Sequence, residues 1–140
     1  MTERWIPLMG KDSWWYPYGG IGVFQDFFGI QFSIVHATNT GAAWSLLSEY
    51  QSYLVGLRIF LILALFVYML IFNKNKAIVL PVTLIMAGAL GNIMDYFVYG
   101  HVIDMIYFKF WGYSYPVFNV ADSAVTIGIA WILLQSWWKK

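Results

Sequence analysis

An all-α integral membrane protein with three transmembrane helices is the fold class this sequence predicts, and three observations carry that reading. Of the 140 residues, 61% are hydrophobic and only 11% are charged, too little charge to cover a soluble domain of this size. Three segments, at about 54–72, 77–99 and 120–138, each approach the roughly 20 apolar residues that a helix needs to cross a bilayer core of about 30 Å. Short basic stretches punctuate these segments in a pattern that alternates sides.

Residues 1–53 read as an outer-face segment. Trp14-Trp15-Tyr16-Pro17-Tyr18-Gly19-Gly20 is aromatic and turn-rich and suits the membrane interface. Ile30, Phe32 and Ile34 alternate with Gln31, Ser33 and Val35, a strand signal. Residues 42–53 read as a short surface helix. The first span follows, with Arg58 as its single charge. Asn73-Lys74-Asn75-Lys76 is a short basic loop, assigned to the cytoplasm by its charge. The second span carries Asp95, and its Gly88 and Gly91 offer a small face for close helix packing. Residues 100–119 read as an outer loop whose Trp111, Tyr113 and Tyr115 suit the headgroup region. The third span has Asp122 near its start and ends in Lys139-Lys140, which puts the C-terminus in the cytoplasm. Residues 54–138 thus constitute a transmembrane helical domain. With three spans and an inner C-terminus, residues 1–53 must lie outside, yet they lack the charged start and apolar core of a signal peptide. A preceding helix is therefore expected to be missing from this chain.

Several function classes fall away on composition. A net charge of +1 gives no reason to expect nucleic acid as a partner. The absence of cysteine removes disulfides, thiolate nucleophiles and cysteine-bound zinc. His36 and His101 form no ligand spacing, so no metal is expected. There is no Gly-x-Ser-x-Gly elbow, no His-Glu-x-x-His and no phosphate-binding glycine loop, and no cofactor is expected.

The chemistry that remains lies in carboxylates. Asp104 and Asp122 bracket the segment between the second and third spans. Carboxylates at a bilayer edge are costly and are usually functional or paired. Two that converge can share one proton, as in aspartic proteases. Asp122 falls in the first turn of a helix, where negative charge is favoured, so it is the member expected to be ionised. Asp104 lies close to the lipid boundary, where burial and a neighbouring carboxylate favour the protonated form. Each residue also has a plainer reading when taken alone. Asn119 with Asp122 resembles a helix capping box, and Asp104 a solvated loop acid. Asn39-Thr40-Gly41 suits a turn, and Asn92 suits an interhelical hydrogen bond. Arg58 and Asp95 each stand five residues from the outer end of adjacent spans, about 6 Å deep. An ion pair between them relieves two costly charges.

Three blocks taken together resemble the lipoprotein signal peptidase (signal peptidase II) family of bacteria. They are Asn39-Thr40-Gly41-Ala42-Ala43-Trp44-Ser45; Gly91-Asn92-x-x-Asp95 followed by Val102-Ile103-Asp104; and Phe118-Asn119-Val120-Ala121-Asp122-Ser123. Their order and spacing match over roughly residues 25–138. The resemblance implies a helical membrane aspartyl endopeptidase of the inner (cytoplasmic) membrane, with four transmembrane helices and a small strand-containing platform on the outer face. It implies cleavage of diacylglyceryl-modified prolipoproteins just before the lipidated cysteine. By residue, it implies Asp104 and Asp122 as the catalytic pair. Asn39, Gly41, Asn92, Asn119 and Ala121 would line and organise the site, with Asp95 supporting it. The chain departs from the family in lacking the first helix with its Asp-x-x-Thr-Lys signature. It also carries Tyr96 where the family usually has arginine, and Arg58 is the residue expected to supply that missing cation.

Two other readings compete. A small proton-coupled carrier would place acids near mid-span, whereas Asp95, Asp104 and Asp122 cluster toward one membrane face. A catalytically inactive homologue that binds lipidated peptides fits Tyr96 and the missing helix, but not the retention of both aspartates.

Overall fold

The computed structural model describes residues 20–39 and 48–138. They form two compact units: residues 20–39, 48–49 and 101–119 in one, and residues 50–100 with 120–138 in the other. The Trp14–Gly19 aromatic run, residues 40–47 and the terminal lysines lie outside the described residues.

The first unit is an antiparallel four-stranded sheet in the order β1 (Ile21–Phe27), β2 (Ile30–Asn39), β3 (Val102–Phe110) and β4 (Tyr113–Ser114). The strand expected around Ile30–Val35 is present and runs on to Asn39. The loop expected over residues 100–119 is not a loop, because its first half is β3. Val102, Ile103, Ile106, Tyr107 and Phe108 are β-branched or aromatic and suit a pleated, half-buried surface. Pairing to the longer β2 then satisfies the backbone.

The register between β2 and β3 contains one irregularity. Ile34 pairs with Ile106 and Ala37 pairs with Asp104, so Val35 and His36 together face the single residue Met105. This is a β-bulge, and it shifts the alternation of β2 by one residue. Beyond the bulge, Ala37 and Asn39 share the face that Phe32 and Ile34 occupy before it. Val35 and His36 are both buried. The same face carries an aromatic cluster away from Asp104. Phe32 stacks on Phe108 with ring centroids 4.7 Å apart, and Phe108 is flanked by Phe110 and Phe118. On the other face Tyr107 is buried, and its hydroxyl donates to Ser114 Oγ at 2.8 Å.

Both hairpins close with two-residue turns, Phe28-Gly29 and Trp111-Gly112, in which both central residues have positive φ. This is the signature of the type I′ turn, whose twist matches the strands and which ordinarily takes Asn-Gly. A bulky aromatic residue in the left-handed region costs on the order of 1 kcal/mol or more. Here Phe28 (φ 54°) and Trp111 (φ 45°) both bear it.

The second unit contains three helices: α1 (Gln51–Val67), α2 (Val79–Tyr99) and α3 (Val120–Trp138). With their flanking turns, three helical stretches among the described residues are long and apolar enough to span a membrane: Gln51–Phe72, Lys76–Tyr99 and Val120–Trp138. These agree with the expected spans within a few residues. The first helix starts a few residues earlier, at Gln51, whose Nε2 donates to the carbonyl of Gly100 at 3.1 Å. The basic loop is a pair of Asx turns, in which Asn73 Oδ1 accepts from Asn75 N–H and Asn75 Oδ1 accepts from Ala77 N–H. Gly100 ends α2 in the left-handed conformation, with its N–H donating to Tyr96 O at 2.8 Å.

Helices α2 and α3 pack antiparallel through small residues. A Cβ at Gly88 would collide with the carbonyl of Ala121, and one at Gly91 would sit 3.2 Å from Ala121 Cβ. On α3, a Cβ at Gly128 would lie 2.6 Å from both Pro81 O and Ile85 Cγ1. Close backbone approach through small residues is how helices associate where lipid removes the hydrophobic drive. Gln135 Nε2 donates to Ala77 O at 3.1 Å at the far end of the pair.

Candidate active site

Asp104 lies on β3 and is 2% exposed. A carboxylate this buried must have its lone pairs satisfied, and two side-chain amides do so. Asn39 Nδ2 donates to Asp104 Oδ2 at 3.0 Å, and Asn119 Nδ2 donates to Oδ1 at 3.1 Å. Asn39 is directly opposite Val102, so its reach to Asp104 is a diagonal cross-strand contact. The bulge makes that contact available by placing Asn39, rather than Thr38, on the carboxylate's face. Asn119 is held from a different direction. The N–H groups of Met105 and Ile106 donate to Phe118 O at 3.0 and 2.7 Å, and Phe118 N–H donates to Ile106 O at 3.1 Å. This short bridge fixes the residue before Asn119, and the Asn119 amide also reaches Ile103 O at 3.3 Å.

In the helical unit, Asp122 sits half-buried in the first turn of α3. Asn92, buried on α2, donates through Nδ2 to Asp122 Oδ1 at 2.8 Å. The stripe that begins at Gly88 delivers it. Gly88, Gly91 and Asn92 follow helical spacing, and the small residues let the backbones approach until the amide spans the gap. Ala121 is the α3 residue against which both glycines pack, so its role is steric.

The remaining expected site residues fall as follows. Asp95 is half-buried on α2 one turn from Asn92, and Arg58 is half-buried on α1. From the Gln51–Gly100 tie, Arg58 lies seven residues along α1 and Asp95 five residues back along α2. At about 1.5 Å per residue the two differ in height by roughly 3 Å, within reach of an arginine side chain. Tyr96 packs edge-on against Phe97. Gly41 lies outside the described residues. Among the described residues, no three His, Cys, Asp or Glu side chains are grouped so as to hold a metal ion.

Two contributors escape a reading of the sequence. The Phe118 backbone bridge leaves no side-chain signal. The bulge at Val35-His36 is equally silent, since uninterrupted alternation from Ile30 would set Thr38, not Asn39, beside Phe32.

The fold and these carboxylates define a class: a multi-pass helical membrane protein bearing a small sheet, with acid–amide clusters as its polar chemistry. Known proteins give that class a family. A model described as signal peptidase (SPase) II matches residues 9–138. A lipoprotein signal peptidase of Chlamydia pneumoniae is 43% identical over 101 residues, covering 69% of this chain and 59% of the relative. One of Staphylococcus haemolyticus (strain JCSC1435) is 38% identical over 104 residues, covering 73% and 65%. A solved bacterial membrane enzyme superposes with a TM-score of 0.72 at 35% identity over 83% of this chain and 69% of its own. A second gives 0.67 at the same identity, over 83% and 74%. The chain belongs to the signal peptidase II family. Its matches span less than two thirds of the length of these two curated relatives.

Proposed function

We propose that this chain is a membrane aspartic endopeptidase that removes signal peptides from diacylglyceryl-modified prolipoproteins, with Asp104 and Asp122 as its catalytic pair. One observation carries the reading. The three asparagines picked out by the family motifs, Asn39, Asn92 and Asn119, all donate their amides to these two carboxylates and hold them in fixed orientations. A merely solvated loop acid has no need of two amide donors, one of them buried. Asn119, which grips Asp104, is also only three residues before Asp122 in the chain.

In the mechanism, the pair holds one proton. The ionised carboxylate takes a proton from a water as its oxygen attacks the scissile carbonyl carbon. The protonated carboxyl donates to the carbonyl oxygen, giving a neutral tetrahedral diol. Collapse of the diol breaks the C–N bond: the carboxyl that took the proton from water gives it to the leaving amine of the lipidated cysteine, and the other carboxylate removes a proton from a diol hydroxyl, which restores the pair. The amides of Asn39 and Asn119 orient Asp104 without taking up a proton, and Asn92 does the same for Asp122. Because one proton must be shared, the rate falls toward both ends of the pH range, and the two limbs belong to the pair rather than to either residue. Asp104 stands a few residues past the end of one membrane-spanning stretch and Asp122 at the start of another. This suits a substrate whose lipid stays in the bilayer of the bacterial inner membrane while its peptide reaches water at the outer face.

The test is hydrolysis of a diacylglyceryl-modified prolipoprotein in reconstituted membranes, comparing the chain with Asp104→Asn and Asp122→Asn after each is verified to insert and fold. Cleavage lost in both variants supports the pair. If the parent binds the lipidated precursor without cleaving it, even with an added upstream helix, the reading changes to an inactive binding homologue.

A further inference from the structure

The two hairpin tips of the sheet expose three large rings. Phe27 is 61% exposed, Phe28 82% and Trp111 75%. Phe28 and Trp111 each occupy the first central position of a type I′ turn, where positive φ strains a bulky residue and asparagine is ordinarily found. Both turns therefore give up local stability to display an aromatic ring, and they do so side by side. Trp111 N–H donates to Gly29 O at 2.9 Å, which ties one tip to the other. The indole lies over Gly29, where an added Cβ would stand 2.5 Å from Trp111 Cδ1. Phe27 and Phe28 meet edge to face with centroids 4.9 Å apart. The cluster is thus fixed before it meets anything, so little conformational freedom is lost when it is covered.

We propose that Phe27, Phe28 and Trp111 form an aromatic wedge that seats in the headgroup–acyl boundary of the bilayer this chain spans. Three considerations select lipid over a protein partner. The sheet unit is joined directly to membrane-spanning helices at Gly100-His101 and Asn119-Val120, so β3 begins within a few residues of the bilayer. Trp is enriched at that boundary, and Phe accompanies it on the apolar faces of segments that lie in the boundary. Strained display of such rings costs stability in water and is recovered when they leave it. A seated wedge would hold the far end of β3, and with it the strand that carries Asp104, at a set depth.

The chain has no cysteine, so single labels can be introduced without background. Nitroxides at Phe28→Cys and Trp111→Cys, with Gln25→Cys on exposed β1 as the reference, are to be measured in phosphatidylcholine–phosphatidylglycerol vesicles. Collision with oxygen, which partitions into lipid, is compared with collision with a water-soluble nickel chelate. The expected result is severalfold lower nickel access and higher oxygen access at positions 28 and 111 than at 25. Phe28→Asn preserves the turn as Asn-Gly, and in that background nickel access at position 111 should rise. Nickel access at 28 and 111 equal to that at 25 overturns the proposal. So does exclusion of both reagents, which would mean that protein covers the tips.

Discussion

Asp104 and Asp122 meet the same need on different scaffolds. Asp104 is held on a strand, almost fully buried, with one amide on each oxygen. Asp122 is held on a helix, half-buried, with one amide from the neighbouring helix. The strand solution depends on register. Asn39 and Asp104 are 65 positions apart, and their contact exists only because β2 is bulged by one residue. The helix solution depends on distance, since the Asn92 amide reaches Asp122 because glycines let α2 and α3 close up. A carboxylate can therefore be oriented by in-plane pairing or by backbone approach, and the two should fail under different substitutions.

The largest effect is expected at the carboxylates themselves. Asp104→Asn and Asp122→Asn should each lower cleavage by about a thousandfold or more, the scale of general acid–base catalysis. Similar losses in both, at unchanged precursor binding, would mark a pair acting as one unit. Next, Gly88→Val should force α2 away from α3 and destabilise the helical unit by about 1–3 kcal/mol, the usual cost of overpacking. Thermal unfolding in detergent reads this directly, and no change in midpoint would sink the packing account. The same change at the exposed Gly56, where an added Cβ meets nothing within 4 Å, should have little effect.

Removing one amide separates the two scaffolds further. Asn39→Ala and Asn92→Ala should each cost about 10- to 100-fold in turnover, matching a lost hydrogen bond to a charged group of roughly 1.5–3 kcal/mol. Thr38→Asn in the Asn39→Ala background should give no rescue, because the bulge turns position 38 to the other face. Recovery of activity there would mean that the register is wrong. The smallest effect concerns Arg58 and Asp95. Arg58→Asp and Asp95→Arg should each destabilise the protein modestly, and the double swap should restore most of the loss. A double variant no more stable than the singles would remove the proposed ion pair.

Much of the molecule was legible in the sequence. The three spans are visible because a helix satisfies its backbone within one segment, so length and apolarity are enough to identify it. Gly88 and Gly91 signal a close interface for the same local reason. Asp104, Asp122 and their three asparagines stand out as residue types at motif spacing, and the structure gathers each asparagine onto one of the two acids. The strand β3 was missed although its residues carry a β signal, because it lies in a segment read for charge and interfacial aromatics. The Arg58–Asp95 heights follow from helix rise alone and need no further folding information.

What the sequence by itself determined is whatever a single segment decides: three membrane helices, their small-residue faces and the set of polar residues that a membrane would not tolerate without purpose. The tertiary structure decided which amide meets which acid. Strand pairing is non-local, and its register is set by the partner strand and by one bulge that no residue pattern announces. Shifting β2 by one residue would put Thr38 in place of Asn39 on the face of Asp104 and leave every local propensity unchanged.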